Sequence, residues 1–138
     1  SNLDDKFLRV KVRKLILKLE EEGLTFNKFK ISLNNLSKSN NAMNYYVKKN
    51  INDNSNYLKL NDSFILKDEF FKQPDEIVFR SFSELIQKIG KKDTFARGAK
   101  VENLLKYLRS TNNYSKKTLS GCIIQKLENS VIISSENR

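Results

Sequence analysis

Pro74-Asp75-Glu76-Ile77-Val78-Phe79-Arg80-Ser81-Phe82-Ser83-Glu84-Leu85-Ile86-Gln87-Lys88-Ile89-Gly90 is the stretch on which the reading of this chain turns. Val78, Phe82, Leu85, Ile86 and Ile89 recur at helical spacing and form one apolar stripe. Pro74 suits the first helical position, where a missing N–H costs nothing. Asp75 and Glu76 suit the positive end of the helix dipole. Gly90 reads as the stop.

Working outward, Tyr57–Leu60 and Phe64–Leu66 flank Asn61-Asp62-Ser63, a hairpin signal. On the other side, Lys91–Gly98 reads as a loop leading into a shorter helix with Val101, Leu104, Leu105 and Leu108 turned inward. Two β runs follow, Thr118–Leu127 and Val131–Ser134, with Glu128-Asn129-Ser130 as their turn. Residues 56–138 therefore read as a small ββααββ unit.

The N-terminal part reads as two helices. Residues 1–22 carry Leu8, Val12, Leu15, Ile16 and Leu19 on one stripe, committed to a core. Asn2 serves as N-cap, Asp5 stands in the capping-box place, and Gly23 is the stop. Thr25 caps a second helix over about 26–50. Its seam is Phe26, Phe29, Leu33, Leu36, Met43 and Val47, with Asn40 at one seam position. A short glycine-containing turn between two such helices implies an antiparallel αα-hairpin, residues 1–55. Tyr45 and Tyr46 could stack on bases, but at this spacing packing is the expectation. The polar run Ile51–Asn56 reads as a linker. The whole is α+β and mostly helical.

Composition narrows the chemistry. The chain has 138 residues, net charge +10, one cysteine and no histidine. Without histidine, the usual general base, metal ligand and pH switch are missing. A lone Cys122 cannot form an intrachain disulfide and fits a reducing compartment. In Thr118-Leu119-Ser120-Gly121-Cys122 nothing stands ready to activate a nucleophile, and Cys122 reads as a small buried thiol at a strand start. No apolar run approaches the ~20 residues that span a bilayer. A positive balance favours polyanions, nucleic acid first and an anionic membrane surface second.

Part of that charge is compositional background. Lysines number 20 against 6 arginines in a chain rich in Asn and Ile, the bias of an A/T-rich genome. The arginines Arg9, Arg13, Arg80, Arg97, Arg109 and Arg138 then carry more information, because a planar guanidinium grips phosphate or carboxylate bidentately. The densest basic stretch runs from Lys88 to Lys117, with nine basic side chains against Asp93 and Glu102. Within it, the loop Lys91–Gly98 enters a helix N-terminus, where free amides and the dipole favour an anion. Tyr114, in the turn Asn112-Asn113-Tyr114-Ser115, is compatible with base stacking, though burial is the simpler expectation. There is no GxxxxGK[ST], GxGxxG or SGGxDS phosphate loop.

Three stretches taken in order resemble tRNA(Ile)-lysidine synthetase in its shorter, alphaproteobacterial form. The first is Ser1-Asn2-Leu3-Asp4 with Phe7, Arg9 and Val12-Arg13, similar to the segment after the family's catalytic domain. The second is Glu76–Phe82, similar to the helix start of its substrate-recognition domain. The third is Phe95-Ala96-Arg97-Gly98-Ala99-Lys100 with Leu104-Leu105 and then Thr118–Cys122, similar to that domain's ending.

The resemblance implies a cytoplasmic enzyme that uses ATP to adenylylate the wobble cytidine of an isoleucine tRNA and then lets lysine attack. ATP and Mg would belong to an N-terminal pyrophosphatase-type domain that is not in this sequence, leaving no cofactor or metal here. The lack of an initiator methionine before Ser1 fits a chain cut from something longer. Residues 1–55 would be the linker hairpin and 56–138 the tRNA-recognition domain, inactive alone. Asn2, Arg9 and Arg13 would border the reaction chamber. Arg80, Lys91, Lys92, Arg97, Lys100, Lys106, Arg109, Lys116 and Lys117 would be candidates for holding tRNA. The implied partners are tRNA and the catalytic domain, with no membrane, and a homodimer is left open. The alternative is a stand-alone basic nucleic-acid-binding or protein-interaction module, the latter with Phe26, Leu33 and Met43 partly exposed.

Overall fold

A computed structural model describes residues 2–111 and 114–136 of the chain. Ser1, the Asn112-Asn113 pair of the expected turn and Arg138 lie outside the described residues. The element order is α1 (Asn2–Glu21), α2 (Phe26–Asn54), β1 (Ser55–Leu58), β2 (Ser63–Lys67), a 3-10 turn (Asp68–Lys72), α3 (Asp75–Gly90), α4 (Gly98–Ser110), β3 (Ser115–Leu119), β4 (Cys122–Lys126) and β5 (Ser130–Ser135). The class is α+β and mostly helical. Two compact units divide within α2, one up to Ala42 and the other from Met43.

In the first unit the helix ends follow the sequence signals. Gly23 takes φ 97°. Its N–H donates to the Glu20 carbonyl at 3.0 Å, and the Leu24 N–H donates to the Leu19 carbonyl at 2.9 Å. This satisfies carbonyls that a helix end otherwise leaves open. Thr25 Oγ1 accepts the Lys28 amide at 3.3 Å, which is an N-cap.

The expected burial does not follow. No residue from Asn2 to Ala42 is buried. Leu8 is 59% exposed, Leu15 53%, Phe29 50% and Leu33 50%. The stripes expected to close a helical hairpin are open to solvent, so α1 is amphipathic without a core of its own.

The second unit holds the core. Its antiparallel sheet has the order β1-β2-β5-β4-β3. One sheet face supplies Phe64, Leu66, Val131, Ile133, Cys122 and Ile124. Against these pack Val78, Phe82, Leu85, Ile86 and Ile89 of α3 and Val101, Leu104, Leu105 and Leu108 of α4. The inward residues of both helices are those their periodicity picks out.

Several local readings are corrected. Residues 51–54 are not linker but the last turn of α2, and β1 starts directly at Ser55. Polar composition misleads there because Asn50 is buried. Its Nδ2 donates to the Phe70 carbonyl and to Ser81 Oγ, both at 3.3 Å, and its Oδ1 accepts from Asn54 at 2.8 Å. The first strand begins two residues earlier than expected and the second one residue earlier, with the turn at 59–62 and Asp62 at φ 44°. Pro74 is the N-cap of α3 and not its first residue. Thr118–Leu127 is two strands, because Ser120 (φ 52°) and Gly121 (φ 80°) make a tight turn with both residues left-handed. The unit is therefore ββααβββ. Tyr45, Tyr46 and Tyr114 are 64%, 55% and 71% exposed, where packing was expected.

Candidate nucleic-acid interface

The loop between α3 and α4 is built by how α3 ends. Gly90 is the last helical residue, and the left-handed residue is Lys91, with φ 51° and ψ 45°. Glycine is needed at 90 for a different reason from the expected one: a Cβ there would collide with the Ser120 carbonyl oxygen in the β3–β4 turn. The chain then reverses, and the Lys92 N–H donates to the Gln87 carbonyl at 3.2 Å. Gln87 Nε2 donates to the Asp93 carbonyl at 3.3 Å. Ala96 packs on the core, and a Cβ on Gly98 would lie 3.5 Å from the Phe79 ring. The loop is thus tied to α3 at its start and packed at its end.

α4 begins at Gly98 with Arg97 as N-cap and no side-chain oxygen on its first amides. Lys91, Lys92, Arg97 and Lys100 are all exposed. Lys91 Nζ lies 3.7 Å from Asp62 Oδ2, a loose pair between exposed groups. Lys92, Arg97 and Lys100 make no ion pair within 4.0 Å among the described residues. Lys88 joins this end of α3, its Nζ 5.4 Å from the centre of the Phe64 ring and 5.8 Å from that of Tyr57.

The remaining candidates lie elsewhere and are differently placed. Arg109, near the end of α4, bonds Asp75 at the start of α3 at 3.1 Å, so the two helices run antiparallel. Arg80 Nε donates to Glu76 Oε1 at 2.7 Å. Lys117 Nζ sits 4.7 Å over the Tyr107 ring. Lys106 and Lys116 are exposed. A cleft of about 330 Å³ at the Arg109 end is lined by Lys72, Arg109 and Lys126 together with Asp68 and Glu128. Lys126 Nζ donates there to the Leu108 carbonyl. Mixed signs make that cleft a poor anion site. The nine candidates therefore do not form one patch. Those of the α3–α4 loop stand together, and Arg80 and Arg109 are held by carboxylates.

In the first unit, Asn2, Arg9 and Arg13 are exposed on α1. Arg9 and Arg13 share a helical face and make no ion pair within 4.0 Å among the described residues.

Cys122 is fully buried, and its thiol donates to the Ile86 carbonyl at 3.2 Å. Burial pushes its pKa up to about 11, so the reactive thiolate is suppressed. Among the described residues no cluster of His, Cys, Asp and Glu could hold a metal ion, and no helix is long and apolar enough to cross a membrane. Among the described strand residues, the sheet face away from the helices presents Ile65, Ile123, Gln125, Ile132, Lys116 and Thr118 and includes no aromatic side chain, though Tyr114, 71% exposed, directly precedes β3. Those strand residues lack the stacking platform with which open sheets bind RNA.

Sequence reasoning passed over Phe95, which is 62% exposed in the middle of the basic loop. An aromatic between Asp93-Thr94 and Ala96-Arg97 was the available signal. No family model, curated protein or solved structure matches the chain.

Proposed function

We propose that this chain binds RNA through the α3–α4 end of its second unit. It does so as the tRNA-recognition part of a ligase that converts the wobble cytidine of an isoleucine tRNA to lysidine. One observation supports RNA binding above the others: Lys92 and Arg97 on the anchored loop and Lys100 in the first turn of α4 stand exposed and without ion pairs among the described residues, in a chain of net charge +10. Identification of the RNA as tRNA rests on the resemblance of the three stretches. In this reading ATP, Mg and the bond-making steps belong to a catalytic domain outside these residues, and Asn2, Arg9 and Arg13 face it.

The physical basis is counterion release. Each phosphate neutralised contributes about 0.7–0.9 to the negative slope of log K against log salt, and such contacts alone give dissociation constants on the order of 10⁻⁴–10⁻⁶ M. Fluorescence anisotropy of a labelled isoleucine tRNA transcript between 50 and 200 mM salt tests this. Three free cations give a slope of roughly −2 to −3. Arg97→Ala flattens the slope by about one contact, whereas Arg109→Ala changes it less, because Asp75 already occupies that guanidinium. Affinity that does not respond to salt refutes the proposal.

A second reading has its own observation. Phe26 is 71% exposed and Leu33 50%, which suits a protein-interaction module using the first unit. Leu15→Asp with Leu33→Asp then abolishes self-association or partner binding in sedimentation velocity. Wild type that stays monomeric with every helical ligand offered removes this reading.

A further inference from the structure

Within the α3–α4 loop the smaller apolar residue turns inward and the larger one outward. Ala96 packs on the core while its neighbour Phe95 is 62% exposed. Removal of apolar surface from water favours the reverse order, since a phenyl ring has far more to bury than a methyl group. The outward ring is not a consequence of slack in the chain. On one side the loop is fixed by the bonds from Lys92 N–H and Gln87 Nε2, and on the other by the packing of Ala96 on the core. The loop therefore displays Phe95.

Its surroundings say what the ring is displayed to. Lys92, Arg97 and Lys100 flank it in the chain, exposed and without ion pairs among the described residues. Asp93 is the only acid in the loop. An exposed ring with free cations close to it in sequence matches an unpaired nucleotide, whose base stacks on the ring while its backbone phosphates meet the cations. A duplex offers the same phosphates but keeps its π-faces stacked inside. The strands are less suited to this role, since the described strand residues on the outer face include no aromatic.

We propose that Phe95 is a stacking platform for an unpaired RNA base, with Lys92, Arg97 and Lys100 on the adjoining phosphates, so that the loop selects unpaired over duplex RNA. This rests on the RNA-binding reading above and names the form of RNA that the site takes.

The test titrates the full chain into a 12-nucleotide single-stranded RNA carrying 2-aminopurine and, separately, into a blunt duplex of the same length. The expected result is quenching of 2-aminopurine by wild type. Phe95→Ala weakens single-strand binding roughly 5- to 150-fold, the range for losing one stacked base. It leaves the salt slope and the duplex affinity unchanged, and Phe95→Tyr retains binding. Because the ring is exposed, the melting temperature of Phe95→Ala stays at the wild-type value, so lost binding is not lost folding. Phe95→Ala binding the single strand as wild type does overturns the inference, and so does an equal loss on the duplex. Loss of binding to anionic phospholipid vesicles with RNA binding intact overturns it too, by making the loop a membrane-inserting one. Wild type that binds neither RNA removes the RNA-binding reading itself.

Discussion

Gly90→Ala sets two effects against each other, and its sign tests how the basic loop is held. Intrinsic propensity says the change stabilises, since glycine in a helix is about 0.5–1 kcal/mol worse than alanine. Packing says the opposite. The new Cβ would collide with the Ser120 carbonyl oxygen and lie 3.3 Å from Cys122 Sγ. That oxygen belongs to a two-residue turn with both φ angles positive, and Cys122 behind it is fully buried. Forcing a methyl group into a well-packed site costs about 1–3 kcal/mol, and the upper part of that range applies when the obstacle is backbone. The net expectation is a destabilisation of about 1.5–2.5 kcal/mol, which for a unit of this size lowers Tm by roughly 10 °C.

Urea unfolding followed by circular dichroism measures the difference, with an unchanged m-value showing that the same transition is compared. Gly98→Ala is the matched control. Its Cβ would meet Phe79 at an ordinary 3.5 Å, so its stability stays within about 0.5 kcal/mol of wild type. If Gly90→Ala is as stable as wild type or more so, α3 does not approach the β3–β4 turn closely. The anchoring of the α3–α4 loop then falls with it.

Asn50→Ala removes a buried amide that serves Phe70, Ser81 and Asn54 at once. It costs about 2–3 kcal/mol in the same urea assay, since the Phe70 carbonyl loses a partner out of reach of solvent. Cys122 gives a pH dependence. Its pKa is raised by burial from 9.0 to about 11, so the stability it contributes is complete below pH 9 and is lost as pH rises towards 11. Wild type therefore loses stability relative to Cys122→Ala over that interval, and a constant difference between the two refutes the burial. A disulfide reagent at pH 8 modifies the thiol only after unfolding.

What could be read from the sequence was what is recorded locally. The four inward residues of α4 and the stripe of α3 were legible because burial on one side leaves a 3.6-residue period. Gly23 and Thr25 were legible because a helix end has its own hydrogen-bond chemistry. The misreadings involve partners distant in sequence. Gly90 looks like any helix stop, and only Ser120, thirty residues on, shows that it is there for close approach. Asn50 and Asn54 look like linker residues until Phe70 and Ser81 arrive beside them. Leu8, Leu15 and Leu33 have the periodicity of a core and no core within their own unit. Periodicity records that a face is apolar and is silent on what covers it.

The same distinction applies to charge. Arginine content pointed equally to Arg80, Arg97 and Arg109, yet Arg80 and Arg109 hold carboxylates while Arg97 does not. Exposed pairs of that kind are worth about 0–1 kcal/mol, so they can open, but a phosphate must first displace Glu76 or Asp75. Distance adds to this. The 16 residues of α3 span about 24 Å at 1.5 Å per residue, three times the Debye length of about 8 Å at physiological salt. The two ends of α3 therefore act as separate electrostatic surfaces. At the Arg109 end, Asp68, Asp75 and Glu128 cancel the lysines and arginines within one screening length. At the loop end, among the described residues, Asp62 and Asp93, with Glu136 bonded to the neighbouring Gly121, are outnumbered by Lys88, Lys91, Lys92, Arg97 and Lys100. Of the two ends of α3, the loop end is the one where a polyanion at physiological salt meets a net attraction, and that is also where the structure displays Phe95.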